Sequence, residues 1–232
     1  MEKITEGILW YVVFLLSATF HEFSHSMAAF KLGDSTAYDG GHVTLNPVPH
    51  IKREPFGTVV VPIFSYLAAG WMIGWASAPY NFKWALEYPK RSAIMSLAGP
   101  ASNFFLILFA ALLIHLGIWL GIFEAPDKIT ISHIVSASQE GIFTSAATLI
   151  SILFSLNLIL FFFNLIPLPP LDGSGILPLY LKDDTARRYL SFIRNPAFSI
   201  VGLLIAWKLF DLIYFHIHLT AINLLYPGMS YH

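Results

Sequence analysis

The sequence predicts an all-α polytopic membrane protein of about five membrane-embedded segments, one of them a candidate for re-entry, with a small β-element at one membrane face. Of 232 residues, 56% are hydrophobic and 12% charged, with a mean hydropathy of +0.66, which is more apolar surface than one soluble core can bury. The apolar residues gather in five stretches, 7–32, 57–76, 92–123, 142–166 and 198–219, each near or above the ~20 residues that a spanning helix needs. A short run, Val43-Thr44-Leu45, lies between Gly40-Gly41 and Asn46-Pro47, turn residues that leave space for a strand but not for a helix.

The first stretch follows Met1-Glu2-Lys3 without a small-residue cleavage site after Phe20, so a retained helix is expected rather than a signal peptide. The second contains Pro62, Gly70 and Gly74, which suit a segment that dips into the bilayer and returns. The third and fourth read as plain spans. After Pro167 the chain breaks at Pro169-Pro170, turns through Gly173 and Gly175, and enters a charged stretch with Arg187, Arg188 and Arg194 that reads as a surface helix. The fifth stretch is the last span. No linker or repeat divides the chain, so one membrane-embedded domain is expected over residues 1–232, its core at about 7–175.

A net charge of −1 with scattered Lys and Arg excludes the concentrated basic face that nucleic acid requires. The absence of cysteine excludes disulfides, thiol nucleophiles and Cys-ligated metal, so any metal must use His, Asp or Glu.

One such set is visible. His21-Glu22-Phe23-Ser24-His25 reads HExxH, which puts His21 and His25 one turn apart on one helix face, where both imidazoles can reach a Zn²⁺. Glu22 then sits beside the open coordination position, as general base and later acid toward a zinc-activated water. Ionisable side chains inside an apolar helix are costly and need a metal, each other or water as partners; the alternative is a polar seam against another helix. A catalytic zinc takes three protein ligands, and Asp172 is the candidate third, carried just beyond an apolar helix that breaks at prolines. A break at membrane depth is tolerated where it lines a site or cavity.

With Asn164-Leu165-Ile166-Pro167 and Leu171-Asp172-Gly173 beside HExxH, the chain resembles the site-2 protease family of intramembrane metalloproteases. The likeness extends to Ala98-Gly99-Pro100 with Asn103, to Leu32-Gly33-Asp34 and to Val43-Thr44-Leu45-Asn46-Pro47. It covers most of residues 17–175, in the pattern of small members without PDZ or CBS domains. The resemblance implies one zinc ion on His21, His25 and Asp172, a catalytic Glu22, and Asn164 engaging the substrate backbone. Asn103 stands between a site role and helix packing at Gly99-x-x-x-Asn103. The implied substrate is a transmembrane or membrane-anchored protein. Ser174 stands where many members have glycine, and His42 where close relatives often carry Arg.

The ligand set makes a topological demand. His21 lies about 21 Å along its helix from Gly7, and Asp172 follows the end of its own, so the two helices must run the same way. One of the segments 57–76 and 92–123 should then not cross, and 57–76, with Pro62, Gly70 and Gly74, is the better candidate for re-entry. That arrangement leaves ten Lys and Arg on one side and two, Lys3 and Lys128, on the other, with Lys208 inside the last span, which puts the site toward the cytosol by the positive-inside rule. The strand near 43–46 is expected to hold an extended substrate by β-augmentation. Rival readings are a membrane zinc transporter, which needs further ligands on a neighbouring helix, and a non-proteolytic scaffold. His42 and His50 near the site's mouth receive no role, and His115, His133, His216 and His218 read as interfacial.

Overall fold

Thirty residues from Glu2 to Lys31 form one helix, α1, long enough at ~1.5 Å per residue to exceed a ~30 Å hydrocarbon core. The structure is a computed structural model that describes residues 2–229 and 231. Two short helices follow, α2 (Thr36–Asp39) and α3 (Pro47–Arg53), the latter capped by Asn46, whose side chain accepts from the Val48 amide. A π-helical turn (Phe56–Val60) leads into α4 (Val61–Ala69), and α5 (Phe82–Glu87) precedes α6 (Pro89–Trp119). Strands β1 (Phe123–Glu124) and β2 (Ser136–Ala137) pair antiparallel before α7 (Ile142–Asn164). The chain ends with α8 (Asp172–Ile176), a 3₁₀ turn (Leu177–Tyr180), α9 (Asp183–Ile193) and α10 (Pro196–Leu225).

Among the described residues four helices, α1, α6, α7 and α10, are long and apolar enough to cross a membrane. α7 is the centre of the bundle: every residue from 150 to 159 is buried, as expected for a helix that is apolar all round. Lipid is as apolar as leucine, so these helices gain by close packing rather than by leaving water. Trp10, Val13 and Phe14 of α1, Ile107 and Ile114 of α6, and Ile152 and Leu156 of α7 fill the shared core. α9 lies at the surface with Ala186 and Leu190 turned inward, as its charged sequence predicts.

α1 and α7 are parallel. The start of α1 meets the loop that precedes α7, where Trp10 Nε1 donates to Ser132 Oγ at 3.3 Å, its middle meets the middle of α7, where Asn157 Nδ2 donates to Ser17 Oγ at 2.9 Å, and its end faces Asp172 beyond α7.

The second apolar stretch turns back. α4 descends until the Tyr66 hydroxyl donates to the Lys3 carbonyl, and Gly70, at φ +77°, reverses the chain. The return passes its own start, with the Trp75 amide bonded to the Gly57 carbonyl, and ends where the Asn81 amide donates to Asp34 beyond α1. Arg53, before the descent, donates to Ser77, after it, so both ends lie at one membrane face. Residues 72–81 make this return without helix or strand.

Two expectations are corrected. Residues 43–45 form bends, not a strand, because Asn46-Pro47 opens α3 and no second strand lies alongside; Thr44 Oγ1 instead accepts from the Asn46 amide, and the Thr44 carbonyl accepts from His50. The small β-element belongs to the connection between α6 and α7. It therefore sits at the opposite end of α6 from the candidate site, roughly 25 Å along the helix from Asn103.

Candidate metal centre

Two elements, α1 and the start of α8, bring His21, His25 and Asp172 together. HExxH spacing sets the two imidazoles edge to face on one side of α1, ring centroids 4.6 Å apart, and the break after α7 starts α8 with Asp172 pointing at them. The two Nε2 atoms are 3.0 Å apart, and they lie 3.0 Å (His21) and 3.3 Å (His25) from the Asp172 carboxylate oxygens. Glu22, also buried, lines the adjoining cleft with His25 and Asp172.

The protons are arranged for a cation. Asn157 anchors the pattern: its Nδ2 donates to the Leu153 carbonyl, which can only accept, so its Oδ1 faces Asn103 and accepts from Asn103 Nδ2 at 2.8 Å. Asn103 Oδ1 then accepts from His21 Nδ1 at 2.6 Å. His25 Nδ1 donates to the Met95 carbonyl at 2.7 Å. Both imidazoles therefore spend their N–H outward and turn bare Nε2 lone pairs toward each other and toward a carboxylate. Asp172 Oδ2 is buried without a hydrogen-bond donor, 3.0 Å from His21 Nε2. Three acceptors crowded in this way repel unless a cation sits among them.

Space for that ion is kept by Gly99 on α6. A Cβ there would fall on the Nε2 atoms of both histidines. The residues thus fit a metal, and two neutral imidazoles with one carboxylate suit zinc. His21–His25–Asp172 is the one such cluster of three among the described residues.

Asn103 touches His21 rather than the cleft, and Asn164, the last residue of α7, does not line the cleft. Sequence reasoning missed Asn157, Ser17 and the Met95 carbonyl. Asn157, in a run without another charged or amide residue between Ile142 and Phe163, was the detectable signal: an amide in the middle of an apolar span needs a partner. His42 and His50 lie tilted to each other with ring centroids 5.7 Å apart, outside the cleft that Glu22, His25 and Asp172 line, and burial first, then His50 and Arg53, lower the His42 pKa.

Removing the anchor should loosen the metal. In Asn157→Leu, Asn103 loses the acceptor that orients it, and zinc affinity is expected to fall about 10- to 100-fold with helicity intact. Chelator-competition titration measures this, and wild-type affinity would show that Asn103 needs no support from α7.

A cluster of two histidines and an aspartate beside a buried glutamate, on helices long and apolar enough to span a membrane, is the arrangement that a membrane zinc metalloprotease requires. Comparison with known proteins agrees: the model of Peptidase family M50 matches residues 9–209, and the chain belongs to that family. It is 35% identical over 168 residues to a Bacillus subtilis protein named "Putative zinc metalloprotease YwhC", covering 72% of this chain and 66% of the relative. It is 28% identical over 213 residues to "Putative zinc metalloprotease Rip2" of Mycolicibacterium smegmatis, covering 90% of this chain and 73% of that one. No solved structure matches the chain.

Proposed function

We propose that this chain cleaves a peptide bond within or near the transmembrane segment of a membrane protein, with zinc held by His21, His25 and Asp172. The observation that carries the reading is the convergence of two bare imidazole nitrogens and a donor-free carboxylate oxygen, beside Glu22, on helices that span a bilayer. Zinc, when bound, supplies Lewis-acid chemistry that acidifies water and polarises a carbonyl. Glu22 takes the proton from the attacking water and returns it to the departing amine. Asn103 and the Met95 carbonyl hold the imidazoles in the tautomer that leaves Nε2 free. The ten Lys and Arg on the side of the site support a cytosol-facing orientation.

A helical substrate hides its carbonyls in hydrogen bonds, so it must be unwound and held. The 43–45 bends are not an edge for this, and residues 76–80 are better suited. They line a cleft of about 390 Å³ with Glu22, His25 and Asp172. The amides of Ala76, Ser77, Ala78 and Tyr80 have no partner among the described residues, while Ser77 Oγ, bonded to Glu54 and Arg53, fixes the segment in place. An extended substrate can add to such an edge. Ala76→Pro and Ala78→Pro, which each delete one of these amides, are expected to cut turnover about tenfold with zinc retained. Wild-type turnover in both would remove the edge from the reading.

The reading as a whole is tested with purified protein in lipid nanodiscs and a panel of transmembrane peptides. Chelation should abolish cleavage and zinc should restore it. A transporter would instead move zinc across vesicles without cleaving, and that result would overturn the proposal.

A further inference from the structure

Charge is sparse inside the spans. Apart from Glu22 in the site, the interiors of the four spanning helices carry two charged residues, Lys208 and Asp211, and both are in α10. α10 is 30 residues long, from Pro196 to Leu225, so these two flank its midpoint, the depth at which a charge is costliest. Both are exposed, and neither forms an ion pair among the described residues.

The exposure follows from how α10 packs. It rests one face on the rest of the chain: Gly202 meets the Pro169 carbonyl, Phe210 packs edge-on against Phe163, and Ala206 and Ile222 are buried. Lys208 and Asp211 belong to another stripe, with Val201, Leu204 and Phe215, in which residues recur at alternating spacings of three and four, the seam pattern of paired helices. Val201, Leu204 and Phe215 are 53%, 66% and 60% exposed. Lipid covers such apolar side chains as well as protein does, but it offers nothing to an ammonium or a carboxylate.

We propose that this stripe is the seam of a homodimer, with a second copy of this chain as its occupant. Copies inserted in one orientation are related by a two-fold axis along the membrane normal, which sets their α10 helices parallel. Lys208 of each copy then reaches Asp211 of the other, displaced by three residues or about 4.5 Å along the axis, and symmetry forms the pair twice. An unrelated helix would need its own acid and base at matching depths, whereas a second copy carries them by construction. This inference does not depend on the catalytic reading.

The chain contains no cysteine, so single cysteines report the seam without background. In native membranes under mild oxidation, Leu204→Cys and Phe215→Cys are expected to give disulfide-linked dimers, and Leu209→Cys, exposed on a different side of α10, is not. Adding Lys208→Asp sets like charges across the seam and should lower the cross-link yield about tenfold. Adding Lys208→Asp with Asp211→Lys should restore it, because the reciprocal pairs re-form. Recovery of the single variant in the membrane fraction at the level of the double variant shows that it was inserted. Equal yields at 204, 209 and 215, yields insensitive to Lys208→Asp, or cross-links to a different protein would each overturn the proposal. An ion pair within one helix would produce the second of these outcomes.

Discussion

Glu22→Gln is expected to bind zinc as the wild type does and to cleave nothing measurable. The change keeps the shape and burial of the side chain but removes the carboxylate to which the proposed reaction assigns the proton of the attacking water. General-base loss of this kind lowers rates by about a hundred- to ten-thousand-fold. His21, His25 and Asp172 are untouched, because His21 remains held by Asn103 and His25 by the Met95 carbonyl. Parallel measurement of metal content and of peptide cleavage by mass spectrometry separates the two roles. Cleavage retained in Glu22→Gln would assign proton transfer to another group, and loss of zinc would mean that Glu22 shapes the metal site instead.

The second large effect is expected at a residue with no reactive group. Gly99→Ala puts a methyl where both Nε2 atoms converge. The imidazoles cannot swing away without breaking the bonds from their Nδ1 atoms, so α6 must shift outward or the metal must leave. Overpacking of a filled site costs about 1–3 kcal/mol, which corresponds to roughly a 5- to 150-fold loss of zinc affinity if it falls on the bound state. Circular dichroism should show unchanged helix content while the zinc titration moves. An alanine variant with wild-type affinity would mean that α6 does not form the wall of the site.

Much of the site was legible because its chemistry is local. HExxH needs nothing beyond the helical repeat to align His21 with His25, and the Pro-rich break that presents Asp172 is likewise a feature of adjacent residues. Even the parallel course of α1 and α7 followed from requiring those ligands to meet. The strand misread at 43–45 shows the limit of the same reasoning. Glycine, asparagine and proline around a β-branched run mark turns equally well with or without a strand between them, and a strand exists only where a second one lies alongside. The pair that formed, Phe123–Glu124 with Ser136–Ala137, joins segments whose composition announced loops.

By itself, the sequence determined that this protein is built on bilayer-length apolar helices, that one of them aligns His21 with His25, and that Asp172 follows a Pro-rich break. Composition and short-range spacing suffice for these, since hydropathy and the helical period are properties of neighbours. Tertiary structure alone decided how the site is held. Asn103 reaches across 82 positions to His21, Asn157 across 54 to Asn103, and His25 across 70 to the Met95 carbonyl. Each contact turns on which faces of α1, α6 and α7 oppose one another at one depth. Packing of three helices sets that, and no periodicity within a single helix encodes it.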